Sequence, residues 1–182
     1  MRGTILLLVF ITAASSTAIG QTNTRVTGYV RTVNSAASPC RGADVSVRHV
    51  TEDAAMGGRN TIAYAFKNNS SSACTLKGYP RYELLDRSGK VRLRGRAINS
   101  QQLPGDEPKQ PPQLVTIEPG KEAWFRVYYN SGGAGYMGKP CPVSRKVRIV
   151  APGITRLFSL QENITSCRTV EVSAVRGGPL PE

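Results

Sequence analysis

Residues 40–80 read CRGADVSVRHVTEDAAMGGRNTIAYAFKNNSSSACTLKGYP. Two runs in this stretch alternate with a period of two. Val45, Val47 and His49 share one side of an extended chain, and Ile62, Tyr64 and Phe66 share one side of the next. Successive side chains of a strand point to opposite faces, so each run offers one apolar face to a core. Gly57-Gly58 lies between them and marks the turn. Residues that face each other in an antiparallel hairpin are equidistant from its turn. The midpoint of Cys40 and Cys74 is residue 57, inside Gly57-Gly58. Pairing Val47 with Phe66 and His49 with Tyr64 gives the same midpoint to within one residue. A bulge absorbs such an offset. The stretch therefore reads as a hairpin whose open end is closed by Cys40 and Cys74.

The pattern continues outward. Tyr82 and Leu84 alternate, as do Val91 and Leu93, and Phe125, Val127 and Tyr129 share a face. Val147 with Ile149 and Phe158 with Leu160 form a second candidate hairpin around Pro152-Gly153, and Val170, Val172 and Ala174 close the series. The midpoint of Cys141 and Cys167 is residue 154, beside that turn. Turn signals stand between the runs at Asn68-Asn69, Ser88-Gly89 and Pro119-Gly120. No stretch of ten residues carries a capped helical stripe. About seven to nine short strands with such punctuation imply an all-β sandwich or barrel, and a sandwich is expected.

The chain has 182 residues and 40% hydrophobic content, enough for one domain with appendages. It opens MRGTILLLVFITAASSTAIGQ. Arg2 supplies positive charge, Ile5–Ala14 is too short to span a bilayer, and Ala18-Ile19-Gly20 presents small residues for a peptidase. Residues 1–20 are read as a signal peptide cleaved after Gly20, with Ala18 as the second choice and an uncleaved anchor as the rival. Residues 21–38 are read as a flexible leader, with a short edge strand compatible with Val26–Val33. Residues 39–176 form the expected domain, 177–182 a disordered tail, and Leu103–Gln113, with four prolines, a loop. Export to the periplasm, cell surface or medium follows. Four cysteines in an exported chain imply two disulfides. Zinc spacing is absent, so no metal site is expected. The hairpin midpoints predict Cys40–Cys74 and Cys141–Cys167. The rival is the nested pairing Cys40–Cys167 with Cys74–Cys141, which would tie two sheets together.

Several blocks resemble a known family. Cys40 precedes the strand Val45-Ser-Val, Phe66 runs into Asn68-Asn69, and the block Cys74-Thr-Leu-Lys-Gly-Tyr-Pro follows. Leu84-Leu-Asp-Arg-Ser-Gly and Pro119-Gly120 come next, and Cys141 and Cys167 each precede a strand. In this order they resemble the bacterial exported domains of domain-of-unknown-function family 4232, over about residues 39–176. The resemblance implies an immunoglobulin-like antiparallel β-sandwich, no established activity, and no catalytic residues to carry over. The arginine-rich stretch Arg81–Arg96 departs from the family pattern.

The sequence offers little catalytic chemistry. His49 is the only histidine, and it shares a face with Val45 and Val47. It is expected to be a half-buried strand residue. No nucleophile–base pair or G-x-S-x-G elbow is present. Glu83, Asp86, Asp106, Glu107, Glu118 and Glu122 lie in turns or near arginines, where solvation or ion pairing is expected. No enzyme activity and no cofactor are expected. Gly78 is expected to allow a close backbone approach, Tyr79 to pack at a sheet corner, and Pro80 to mark an edge. Trp124 faces away from Phe125 and Val127, either covering a second small core or exposed as a contact residue. Asn68, Asn69 and Asn163 match the glycosylation acceptor pattern, which matters only in a glycosylating host.

Charge is the most informative surface signal: 24 basic residues oppose 12 acidic ones, for a net charge of +12. Arg81, Arg87, Lys90, Arg92, Arg94 and Arg96 cluster against only Glu83 and Asp86. Alternation puts Arg92 and Arg94 on one strand face, and Lys146 and Arg148 repeat the arrangement. Arg92, Arg94, Arg96, Lys146 and Arg148 are the candidate anion-binding residues. The candidate partners are an acidic glycan, an anionic lipid surface or an envelope protein. Nucleic acid is not expected, because the aromatic interleaving of a single-strand groove is missing. The expectation is a non-catalytic binding or adhesion module. The alternative is a structural or stress-related envelope protein whose basic strands resist edge pairing.

Overall fold

β-branched and aromatic residues at every second position build the strands of the computed structural model, which describes residues 37–55, 58–98, 111–132 and 140–180. The strands are β1 (Ser38–Pro39), β2 (Val45–Ala55), β3 (Arg59–Asn68), β4 (Cys74–Leu76), β5 (Arg81–Leu85) and β6 (Val91–Ala97). They continue with β7 (Val115–Ile117), β8 (Glu122–Asn130), β9 (Val143–Val150), β10 (Phe158–Thr165) and β11 (Val170–Val172). A three-stranded sheet has the order β1-β4-β7, and an eight-stranded sheet has the order β10-β9-β5-β6-β11-β8-β3-β2. The protein is thus an all-β, two-sheet domain with two disulfides. The signal peptide, nearly all of the leader, the strand at Val26–Val33 and most of the Pro-rich loop lie outside the described residues.

Both hairpin registers match the alternation. Val47 faces Phe66 and His49 faces Tyr64, with the one-residue slip taken up at Val50. Val147 faces Leu160 and Ile149 faces Phe158. Cys40 is bonded to Cys74 and Cys141 to Cys167, with Cα–Cα distances of 4.8 and 4.6 Å. The hairpin pairing holds and the nested one does not.

Three features depart from the expected arrangement. Two pairings are parallel: β1 with β4, and β11 with β6. Strand β11 fills the slot between β6 and β8, antiparallel to β8. Gly95 allows this fit, since a Cβ there would run into Val172 Cγ2 and come within 3.2 Å of Tyr82 Cβ. Eleven strands appear among the described residues, of which seven have five residues or more. The other four are too short to show alternation. Pro80 is buried at the start of β5, an interior strand between β6 and β9, rather than at an edge. At the entrance to a strand a proline interrupts no ladder.

The core is one cluster shared by both sheets. Phe125 stacks on Tyr64 and Phe66 with ring centroids 5.4 and 5.1 Å apart. Leu76, Val115, Ile117 and the Cys40–Cys74 bridge meet this stack from the three-stranded sheet. Trp124 is buried on the opposite face of β8, so the covered reading holds. The Arg126 guanidinium lies 5.4 Å from its ring centre, and the segment at Arg176 is hydrogen-bonded along it. Gly78 has φ of 124°, and its carbonyl accepts the Val175 N–H at 3.0 Å, the close approach expected of it.

Candidate functional site

The outer face of β5, β6 and β9 carries the basic stripe. Register brings Glu83 opposite both Arg94 and Arg148, with Ser159 beyond Arg148, so Arg94–Glu83–Arg148–Ser159 forms one cross-strand row. Glu83 Oε1 accepts from Arg94 Nε at 3.2 Å, and Glu83 Oε2 lies 2.7 Å from Arg148 Nη2. The Glu83 side chain is only 8% exposed, Arg148 29% and Arg94 72%. One buried carboxylate therefore anchors two arginines of unequal freedom. A second row sets Lys146 between Leu85 and Gln161. Leu85 is buried although it lies on this outer face. Long cationic stems cover apolar surface while their heads reach water, which accounts for that burial.

The structure divides the five candidates. Arg94 and Arg96 are exposed, and Lys146 and Arg148 are half-buried. Arg96 stands in register with Glu171 of β11. Arg92 is half-buried as well, but it is tied down by hydrogen bonds. It is the extra residue where the β5–β6 register slips. Its Nε donates to Ser144 Oγ at 3.0 Å and its Nη1 to the Ser166 carbonyl at 2.8 Å. Burial pulls the Arg92 guanidinium below its ordinary pKa. Arg92 thus fastens β6 to the end of β10 beside Cys167.

A second constellation escaped the sequence reading. The edges β2 and β10 terminate the eight-stranded sheet, and their side chains meet across its open seam. The Tyr64 hydroxyl donates to Glu162 Oε2 and lies 3.1 Å from the Tyr82 hydroxyl. His49 Nδ1 is 3.4 Å from Glu162 Oε1. Nearby, the Tyr129 hydroxyl donates to Glu52 Oε1 at 2.6 Å. Burial first, and the Glu52 charge as well, raise the pKa of Glu162, while Tyr64 and His49 oppose the rise. Burial also drives Tyr64, Tyr82 and Tyr129 well above the ordinary phenol range. Glu162 shares the parity of Phe158 and Leu160, so its inward position was readable. Glu52 was hidden, because the bulge at Val50 moves it to the His49 face.

The remaining sequence candidates have local roles. Asp86 caps its turn by accepting the Ser88 and Lys90 N–H groups. Glu122 is paired with Arg48 at 2.7 Å, which holds its carboxyl below the usual range. Asp106 and Glu107 lie outside the described residues. Among the described residues no group of three or more metal-ligating side chains could hold a metal ion.

The sequence matches the family described as Domain of unknown function (DUF4232) over residues 40–179. The chain belongs to this family. No curated protein matches it. The match spans the region between the first cysteine and the C-terminal segment, so it includes both disulfides, the basic rows and the polar seam. In this DUF4232 domain the two bridges suit an oxidising, non-cytoplasmic compartment. No helix among the described residues is long and apolar enough to cross a membrane.

Proposed function

We propose that this DUF4232 domain is an exported, non-catalytic binding module that holds an acidic glycan on the outer face of β5, β6 and β9. The observation that carries the reading is the row Arg94–Glu83–Arg148, with Lys146 in the next row. Neighbouring strands lie about 4.8 Å apart, and every second residue advances about 6.8 Å along a strand. Cations on such a grid suit a polymer with regularly repeated carboxylates. The flanking Ser159 and Gln161 are exposed and polar, which favours a hydrated chain over an inserted lipid surface. Glu83 orients its two arginines and limits indiscriminate attraction. The signal-like N-terminus and the disulfides support export.

The test is titration of the full chain with an acidic polysaccharide, a neutral polysaccharide and anionic vesicles, at low and physiological salt. Saturable binding to the acidic polysaccharide that persists at physiological salt is expected. Equal binding to both anionic probes that vanishes with salt would replace this reading with the structural envelope role, since exposed charges are screened over about 8 Å in physiological salt.

A further inference from the structure

We infer that the seam between β2 and β10 is an acid-strengthened latch, held shut by Glu162 against Tyr64 and His49 and loosened when Glu162 is charged beside Glu52. The eight-stranded sheet curls until its two end strands meet, yet its ladders stop at β2 and β10. Closure therefore depends on side chains. Val47 and Leu160 supply apolar contact with the core, while Glu162 reaches across to β3 and β2.

The groups facing Glu162 come from several strands. From β2 these are His49 and Glu52, from β3 Tyr64, from β5 Tyr82, and from β8 Tyr129. Arg48 of β2 turns outward to Glu122, with bonds of 2.9 and 2.7 Å. Lys146 and Arg148 of β9 belong to the opposite face of their strand. Arg59 lines a surface cleft with Tyr128, Tyr129 and Glu171. The seam thus holds two carboxylates, three phenols and one imidazole.

Burial raises the pKa of Glu162 in the folded protein above its unfolded value. The neutral form is then the better fit. Its stabilisation is fully present below the ordinary glutamate value of about 4.3 and is lost as pH rises through the raised value. The imidazole of His49, 3.4 Å from Glu162 Oε1, favours the charged carboxylate and limits the rise without reversing it.

Hydrogen exchange of the full chain between pH 4.5 and 7.5, corrected for the intrinsic amide rate, tests the latch. Protection of β2 and β10 relative to β8 is expected to fall as pH rises. The fall should be about tenfold for each unit by which the Glu162 pKa is raised. Glu162→Gln should abolish this dependence and keep the seam protected at pH 7.5. Glu52→Gln, which removes the neighbouring like charge, should shrink the fall. Carboxyl-carbon titration of the unaltered protein should show one glutamate ionising above the others. A flat protection profile, an unchanged one in either variant, or no late-titrating glutamate would overturn the latch. None of these readouts involves the glycan, so the latch and the proposed binding role stand or fall separately.

Discussion

Replacing Glu83 with glutamine should weaken the fold and strengthen binding to polyanions at the same time. The carboxylate bridges Arg148, 2.7 Å away and 29% exposed, and Arg94, 3.2 Å away and 72% exposed. A partly buried hydrogen bond to a charged group contributes about 1.5–3 kcal/mol. The exposed partner adds about 0–1 kcal/mol. Glutamine keeps one acceptor oxygen but turns an amide N–H2 toward the other guanidinium, so a net loss of about 2 kcal/mol is expected. For a domain of this size that lowers Tm by roughly 4–8 °C, read by circular dichroism with the disulfides intact. The same change removes the negative charge between two cations. At the effective dielectric of a protein surface this adds about 1 kcal/mol, roughly fivefold, to polyanion affinity. A Tm within about 1 °C of the parent would refute the view that Glu83 anchors the row. Lost stability with unchanged affinity would confine Glu83 to the fold.

Two further predictions concern the framework. The chain-entropy relation gives about 3.8 kcal/mol for Cys40–Cys74 and about 3.5 kcal/mol for Cys141–Cys167, from separations of 34 and 26 residues. Urea unfolding of the paired serine variants should show the larger loss at Cys40 and Cys74, which are also buried in the core. Equal or reversed losses would deny the first bridge its core role. Tyr64, Tyr82 and Tyr129 should stay protonated while ordinary phenols ionise, so the 295 nm absorbance of the folded protein should lack three late tyrosines out of seven. Their folded pKa values exceed the unfolded value of about 10, so stability is lost as pH rises above it. Seven tyrosines titrating together in the folded protein would contradict this burial.

The strand faces were legible wherever alternation ran for five residues or more. Period two alone recovers the registers of Val47 with Phe66 and of Val147 with Leu160, and with them both disulfides. It fails where a bulge changes parity. Glu52 escaped notice because Val50 is extruded, and the ties of Arg92 to Ser144 and Ser166 escaped it because their partners are far along the chain. Alternation also says nothing of which strands become neighbours. Insertion of β11 between β6 and β8 depends on the missing Cβ at Gly95, a three-dimensional fit. The basic residues were identifiable by type, but their compensation by one buried carboxylate required the order β9-β5-β6.

The most direct test of the binding face is a matched charge reversal. Arg94→Glu with Lys146→Glu alters the proposed rows, whereas Lys77→Glu with Lys121→Glu makes the same net change at exposed turn positions elsewhere. Affinity of the full chain for an acidic polysaccharide at physiological salt is then compared. A loss of more than about tenfold in the first variant, with less than about twofold in the second, is the predicted result, equivalent to about 1.4 kcal/mol placed on one face. Equal losses in both variants would show that the charge acts only as net charge, and would contradict a binding site on β5, β6 and β9.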